Sequence, residues 1–226
     1  MTPVIDSKTY RFVFRGLYDG VSMLTDYGTE SYWNHITGRA MYGPLQGAEM
    51  PVANLLHMTV EQALAAHPDL HVAISDRPIS GQQSRFWPLA KQVPVLSDRL
   101  RSTMAGEDLR RPTMDVGLGV WNDEAARYYP LADVTAAGDV LFDQLAGRRL
   151  LVYLEPTGHA LAAIYSNATE ARWDGKTLRL DTGAGIRSGV LFGPDGERLP
   201  MERPLQMFTR WYGFALTFPE TEVYEP

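Results

Sequence analysis

Short runs of β-forming side chains recur along the chain and predict a fold made mainly of strands. Residues 10–14 alternate and combine aromatic with β-branched side chains, a pattern typical of a half-buried strand. The same features predict six more strands, at residues 21–25, 71–75, 115–121, 150–154, 160–165 and 177–181. Asp174-Gly175 favours a tight turn before the last of these strands, and residues 155–159 favour a second hairpin.

Three segments predict short helices. Thr59 is a suitable N-cap for Val60–Ala66, and Pro68 ends that segment. Asp133 is a suitable cap for a second helix that continues to about Leu145. Residues 209–217 are mostly apolar and aromatic, so the third helix is expected to be buried.

The chain also contains an internal echo. Residues 58–72 and 208–223 each give a threonine, a short apolar helix, a proline, an acidic residue and a β-former. We therefore predict an α+β, β-dominated fold of mostly antiparallel sheets, built from a partly duplicated strand and helix unit. The prediction is one domain over residues 1–226, with an incomplete repeat at about 1–76, a connector at 77–113 and a complete repeat at 114–226.

Composition narrows the classes of function. With 226 residues and 45% hydrophobic content, the chain is long enough to bury a substantial core. The net charge of −6 argues against nucleic acid as a partner, and the absence of cysteine excludes disulfides and thiolate chemistry.

No apolar run reaches the roughly 18 residues of a membrane helix. The chain as given has no signal peptide, which indicates the cytoplasm, or an extracytoplasmic location if a leader was removed. Oligomeric state is left open.

The segment from Asp26 to Gly47 is the most informative part of the sequence. It reads Asp-Tyr-Gly-Thr-Glu-Ser-Tyr-Trp over residues 26–33 and Thr-Gly-Arg-Ala-Met-Tyr-Gly-Pro-Leu-Gln-Gly over residues 37–47. Both motifs resemble those of the family called domain of unknown function 3179, and residues 65–69, 123–131 and 210–224 match further motifs in order. The resemblance implies little about function. The family's Cys-Pro-x-Cys strand is missing, so no role that depends on its thiols is transferred.

Glycine spacing in this signature predicts fixed backbone geometry and a buried Trp33. Its loop also carries His35 and Arg39, which we expect to border a polar pocket. A guanidinium there would suit a small anionic ligand, and an imidazole would suit proton transfer or a metal. The structural alternative is that Arg39 pairs with an acid such as Asp26 or Glu30 and holds the loop.

Asp26, His35, Arg39 and His159 are the candidate site residues, because the tips of the two predicted halves could meet in one cleft. Glu30, Glu155 and Asp181 are further carboxylates that could act as general bases or oxygen ligands, and spacing does not select among them. Five aromatic residues could line a ligand pocket, although a core role is favoured for this set: Tyr32, Trp33, Tyr42, Trp211 and Tyr212.

Three functions are compatible with these observations. A small-molecule-binding or scaffold module comes first, an enzyme acting on a small anionic substrate second, and a metalloprotein that uses histidine and carboxylate third. The sequence contains no nucleophile elbow, phosphate loop, zinc-binding helix motif or dinucleotide fingerprint. It therefore assigns no cofactor and no particular metal.

Overall fold

The computed structural model describes residues 4–5, 7–71, 74, 76, 95–156 and 160–226. Part of the strand predicted at residues 71–75 and about half of the predicted connector, residues 77–94, lie outside these ranges, as does His159. The described strands are β1 Val4–Ile5, β2 Lys8–Thr9, β3 Phe12–Tyr18, β4 Val21–Asp26, β5 Tyr32–Asn34, β6 Ala40–Tyr42, β7 Val116–Trp121, β8 Ala126–Pro130, β9 Val140–Leu145, β10 Arg148–Leu154, β11 Leu161–Tyr165, β12 Ala171–Asp174, β13 Thr177–Leu180, β14 Gly185–Arg187, β15 Val190–Phe192, β16 Leu205–Arg210 and β17 Glu222–Val223. The described helices are α1 Val60–Ala66, α2 Asp98–Arg101, α3 Leu131–Ala136 and α4 Trp211–Thr217.

The strands form several small sheets, and the predicted α+β, β-dominated class is confirmed. The family signature builds one sheet in the order β3-β4-β5-β6, which we call the signature sheet. Three more sheets follow in the second half of the chain, in the orders β11-β10-β9, β12-β13-β14-β15 and β16-β7-β8-β17. Within the described residues, the pairing of β17 with β8 is the only parallel one.

The sheet β11-β10-β9 has a hydrophobic core on each face. Alternate residues of β10 point to opposite sides, as the period of a strand requires. Leu150 and Val152 belong to one core cluster, whereas Leu151 and Tyr153 belong to another. The first cluster is shared with β7 and β8, and the second with the sheet that contains β13 and β14. This sheet is therefore the middle layer of the second half.

A third core cluster joins the signature sheet to helix α4. Ile36 and Val21 come from the first half of the chain and pack with Trp211 and Phe214 of α4. Gly119 permits this packing, because a Cβ built there would lie 2.1 Å from Cε2 of Phe214. The helix thus lies directly on β7 at a glycine. Burial of Trp211, Gly213, Phe214 and Ala215 confirms the expectation that this helix is buried.

The structure confirms the predicted start of helix α1 and contradicts the second predicted helix. Helix α1 begins after Thr59 as predicted, with a capping box in which Thr59 and Gln62 each bond the other's backbone N–H. The prediction of one helix from Asp133 to Leu145 was wrong. Helix α3 ends at Ala136, and residues 140–145 form β9, because Gly138 and Asp139 adopt positive φ angles of 86° and 67°. Helix α2 was not predicted.

The two helices of the internal echo are similar in detail. Helices α1 and α4 both contain seven residues, and their C-cap residues His67 and Phe218 have φ angles of −137° and −126°. After each helix, the C-cap carbonyl accepts a backbone hydrogen bond from the residue three positions later, Leu70 or Thr221. The similarity covers these helices and the turns after them, and duplication of the complete unit stays a prediction.

Candidate functional site

Asp26 is the centre of the signature turn. Its Oδ1 accepts hydrogen bonds from the backbone N–H groups of Gly28 and Thr29, at 3.0 and 2.6 Å. Its Oδ2 accepts from the Thr29 hydroxyl at 2.8 Å, the Ser31 N–H at 3.2 Å and the indole N–H of Trp33 at 3.1 Å. The motif residues Thr29, Ser31 and Trp33 therefore all donate to one carboxylate. The turn is held together by this carboxylate.

Buried hydrogen bonds control the ionisation of Asp26. Burial of the carboxyl raises its pKa, but hydrogen bonds from Thr29, Trp33 and Gly28 outweigh burial and hold the pKa below its ordinary value. Trp33 is fully buried, which confirms that prediction. Both carboxylate oxygens accept hydrogen bonds from residues 28–33, so in this conformation the charge of Asp26 stabilises the signature turn.

The glycines of the signature seat its second motif against the turn. Gly43 has a φ of 100°, and a Cβ there would lie 2.8 Å from the Cα of Ser31. The Ser31 hydroxyl oxygen accepts the Leu45 N–H at 3.0 Å and lies 2.7 Å from the Thr29 hydroxyl. The Gly-Pro-Leu segment is thus linked to Asp26 through Ser31 and Thr29.

Two of the other predicted site residues, His35 and Arg39, lie apart from Asp26, and His159 lies outside the described residues. His35 Nδ1 lies 2.6 Å from the Ser22 carbonyl oxygen, so this nitrogen carries the proton and donates. Ser22 and Asp26 are at opposite ends of β4, about 13 Å apart along the strand. Arg39 has a side chain that is 64% exposed and pairs with Glu49 at 3.7 Å, not with Asp26 or Glu30. Neither His35 nor Arg39 lines the groove or the cavity described below, and their role in binding stays a prediction.

The outer face of the signature sheet carries a strip of side chains in register. Val13 pairs with Thr25, Thr25 with Tyr32, and Tyr32 with Tyr42, so the strip crosses all four strands at one level. The opposite face holds the core cluster of Trp33, Ala40 and Met50. The outer face of such a sheet is ordinarily polar. Here Val13 is 37% and Tyr42 is 68% exposed.

The strip forms the floor of an open groove of about 430 Å³, which we call the tyrosine groove. Its walls include Arg15, Tyr27, Glu30 and Pro44. The rings of Tyr32 and Tyr42 lie 6.1 Å apart at an angle of 53°. Tyr27 is 70% exposed, so three tyrosine side chains border one concave surface. The core role expected for Tyr42 was wrong, because its pairing with Tyr32 directs it to the outer face.

A second polar cluster lies beneath the segment that leads into α1. Glu155 is 7% exposed, and its Oε2 accepts a hydrogen bond from Gln62 Nε2 at 3.0 Å. The half-buried Arg203 donates to the carbonyl of Ala163 at 3.1 Å and lies 3.4 Å from the Tyr153 hydroxyl. His57, Gln206 and Phe208 help to line the small cavity at Glu155. The cavity of about 10 Å³ is close to the space of one water molecule.

The environment of Glu155 favours its neutral form. Burial raises the pKa of the carboxyl, and the Arg203 guanidinium, the Tyr153 hydroxyl and Gln62 only partly oppose that effect. Burial also raises the pKa of Tyr153 to about 12, so its hydroxyl stays protonated at neutral pH. A buried carboxyl with a raised pKa beside a cation is a common arrangement in acid–base sites.

Sequence reasoning considered Glu155 but did not find its partners. Gln62 lies 93 residues away in the chain, and Arg203 belongs to a segment without a distinguishing motif. The tyrosine groove was missed because it depends on strand register, which the sequence does not show.

Among the described residues, no group of three or more histidine and acidic side chains is placed to hold a metal ion. No described helix is long and apolar enough to cross a membrane.

These features define a β-rich α+β domain with a turn organised by a carboxylate. The chain belongs to the family described as "Protein of unknown function (DUF3179)", whose profile matches residues 2–221. No curated protein and no solved structure matches the chain.

Proposed function

We propose that this protein is a small-molecule-binding module whose ligand occupies the tyrosine groove. The observation that carries this proposal is the strip Val13–Thr25–Tyr32–Tyr42 on the outer face of a sheet whose inner face is a packed core, with Val13 and Tyr42 exposed at its two ends. Exposed apolar and aromatic surface in a concave setting is typical of a binding site. The groove's volume of about 430 Å³ lies within the range of small-molecule pockets, about 300–1,000 Å³.

The signature supports this role by making the floor of the groove rigid. Asp26 accepts four hydrogen bonds from the turn between β4 and β5 and a fifth from Trp33 of β5, which fixes the neighbouring Tyr32. Ser31 and Gly43 fix the segment that follows Tyr42. Binding then requires little ordering of the protein, and a preorganised surface loses less affinity to conformational entropy.

Ligand-observed NMR with a library of fragments tests the proposal. Hits should lose their saturation-transfer signal with Tyr42→Ala and keep it with Tyr18→Ala. Tyr18 is a suitable control because it is an exposed tyrosine of the same sheet, 47% accessible, and does not line the groove. If the two variants affect every hit equally, the groove is not the binding site. Equal melting temperatures of both variants and wild type would show that the fold is retained.

An enzyme is the second candidate, favoured by the buried carboxyl of Glu155 beside Arg203 and His57. In such a site, Glu155 would exchange a proton with a water molecule in its cavity, which has room for about one, and Arg203 would stabilise negative charge that develops on a substrate. A screen of small esters and phosphate esters tests this function. Any turnover should be lost with Glu155→Gln and retained with the exposed Glu61→Gln of the neighbouring helix. Turnover that survives Glu155→Gln would exclude this role for Glu155.

A further inference from the structure

The charges and rings of the tyrosine groove restrict the chemistry of its ligand. We infer that the ligand is a neutral saccharide, an inference that rests on the proposed binding function of the groove. The first observation concerns charge. Arg15 and the exposed Glu30 both line the groove, so its accessible charged groups are one cation and one anion. An anionic ligand would meet Glu30, and a cationic ligand would meet Arg15.

Asp26 also lines the groove but offers no free charge to a ligand. The residue is fully buried, and its two oxygens already accept five hydrogen bonds from Gly28, Thr29, Ser31 and Trp33. A hydroxyl of the ligand would have to displace one of these donors. The groups left for recognition are therefore Arg15 as a donor, Glu30 as an acceptor and the tyrosine hydroxyls as both.

The rings of the groove supply the second observation. Tyr27 and Tyr42 are 70% and 68% exposed, and Tyr42 is tilted by 53° against Tyr32. An aromatic ring has an electron-rich face that attracts weakly positive C–H groups. A sugar ring presents such C–H groups on its faces and hydroxyls around its edge. It would place a face on Tyr42 and its hydroxyls against Arg15 and Glu30.

The sequence predicts a small anionic ligand because of Arg39. The charged groups of the tyrosine groove instead favour a neutral ligand. Arg39 does not line the groove and pairs with Glu49 on the loop. Within the groove, the guanidinium of Arg15 is balanced by the carboxylate of Glu30. A neutral polyhydroxylated ring can form hydrogen bonds with both charged groups. Hydrogen bonds to a charged group are stronger than those between two neutral groups.

Isothermal titration calorimetry tests this inference with defined saccharides. The neutral probes are the hexasaccharides of cellulose, chitin, starch and xylan, and the charged probes are oligogalacturonate and chitosan hexamer. At least one neutral probe should bind and outcompete both charged probes. Tyr42→Ala and Tyr27→Ala should each weaken that binding about tenfold, whereas Tyr18→Ala should leave it unchanged. Arg15→Gln and Glu30→Gln should both weaken it.

The outcomes separate the inference from the function on which it rests. If fragments bind in a Tyr42-dependent manner but no neutral saccharide does, the saccharide inference is wrong and the binding function stands. If oligogalacturonate binds best and Glu30→Gln strengthens its binding, the argument from balanced charge is overturned. If no probe of any kind depends on Tyr42, both the inference and the binding function fail. Since Tyr27 and Tyr42 are exposed side chains, loss of folding is not expected to obscure these results.

Discussion

The Asp26 carboxylate at the end of β4 accepts the indole N–H of Trp33 in β5 at 3.1 Å, and both residues are fully buried. The acid and the ring of the family motif are therefore parts of one structural unit. Trp33 also packs edge-on against Phe12, with ring centroids 5.7 Å apart. The signature is thus explained by the architecture of its sheet, and Tyr32 and Tyr42 lie on the opposite face.

This relationship predicts the effect of removing only the indole N–H. Trp33→Phe keeps an aromatic ring in the core but leaves one acceptor position of Asp26 unsatisfied, so we expect a loss of about 1–3 kcal/mol in unfolding free energy. Trp33→Ala should cost more, about 3–5 kcal/mol, because it also opens a cavity. Urea unfolding of both variants measures the two effects. A double-mutant cycle with Asp26→Asn isolates the pair, and additive losses would mean that the hydrogen bond contributes nothing.

Acid should unfold the protein in part through Asp26. Its folded-state pKa is lowered, so the unfolded chain binds more protons at acid pH, and stability contributed by this group falls as pH decreases. The contribution is complete above the unfolded pKa of about 4 and is lost as pH falls through the folded value. Unfolding free energies measured between pH 6 and pH 3 should decline more steeply for wild type than for Asp26→Asn. Parallel curves for the two proteins would contradict this assignment.

Gly119 provides a test of how helix α4 packs. A Cβ at this position would lie 2.1 Å from Cε2 of Phe214, so Gly119→Ala must displace either the helix or the strand. Overpacking of this kind typically costs about 1–3 kcal/mol. Gly106→Ala is the matched control, because no atom lies within 4 Å of its added Cβ and its φ is not in the left-handed region. Thermal unfolding should show a lower melting temperature only for Gly119→Ala.

Local chemistry made part of this fold predictable. The capping box at Thr59 and the Asp174-Gly175 hairpin depend on neighbouring residues, and both are present. Burial of Trp33 could be predicted from the glycine-rich motif around it. The predicted helix includes residues 140–145, but these residues alternate between two cores, with Leu141 in one and Phe142 against the other, as a strand between two layers does.

The sites were harder to predict than the elements. The tyrosine groove requires Tyr42 of β6 to pair with Tyr32 of β5, across a bulge that shifts the register. A shift of one residue would turn Tyr42 to the opposite face, and no sequence pattern in the short strand β6 decides between the two registers. The Glu155 cluster combines residues from three distant parts of the chain. Residue types alone could identify Glu155 as a candidate acid, but they could not identify the partners that change its pKa.

Glu155 should reduce the stability of the folded protein at neutral pH. Burial raises its folded-state pKa, so between the unfolded pKa of about 4.3 and the higher folded value the native state binds more protons. Stability contributed by this group is therefore greatest in acid and falls as pH rises through the folded pKa.

Glu155→Gln retains an oxygen that can accept the hydrogen bond from Gln62 and carries no charge to bury. We expect this variant to unfold at a higher urea concentration than wild type at pH 8, and the difference to shrink towards pH 4. Glu61→Gln, on the exposed side of α1, should show no such pH-dependent gain. A Glu155→Gln variant that is less stable than wild type at pH 8 would show that the ionised carboxylate is stabilised by Arg203 and Gln62 more than burial opposes it.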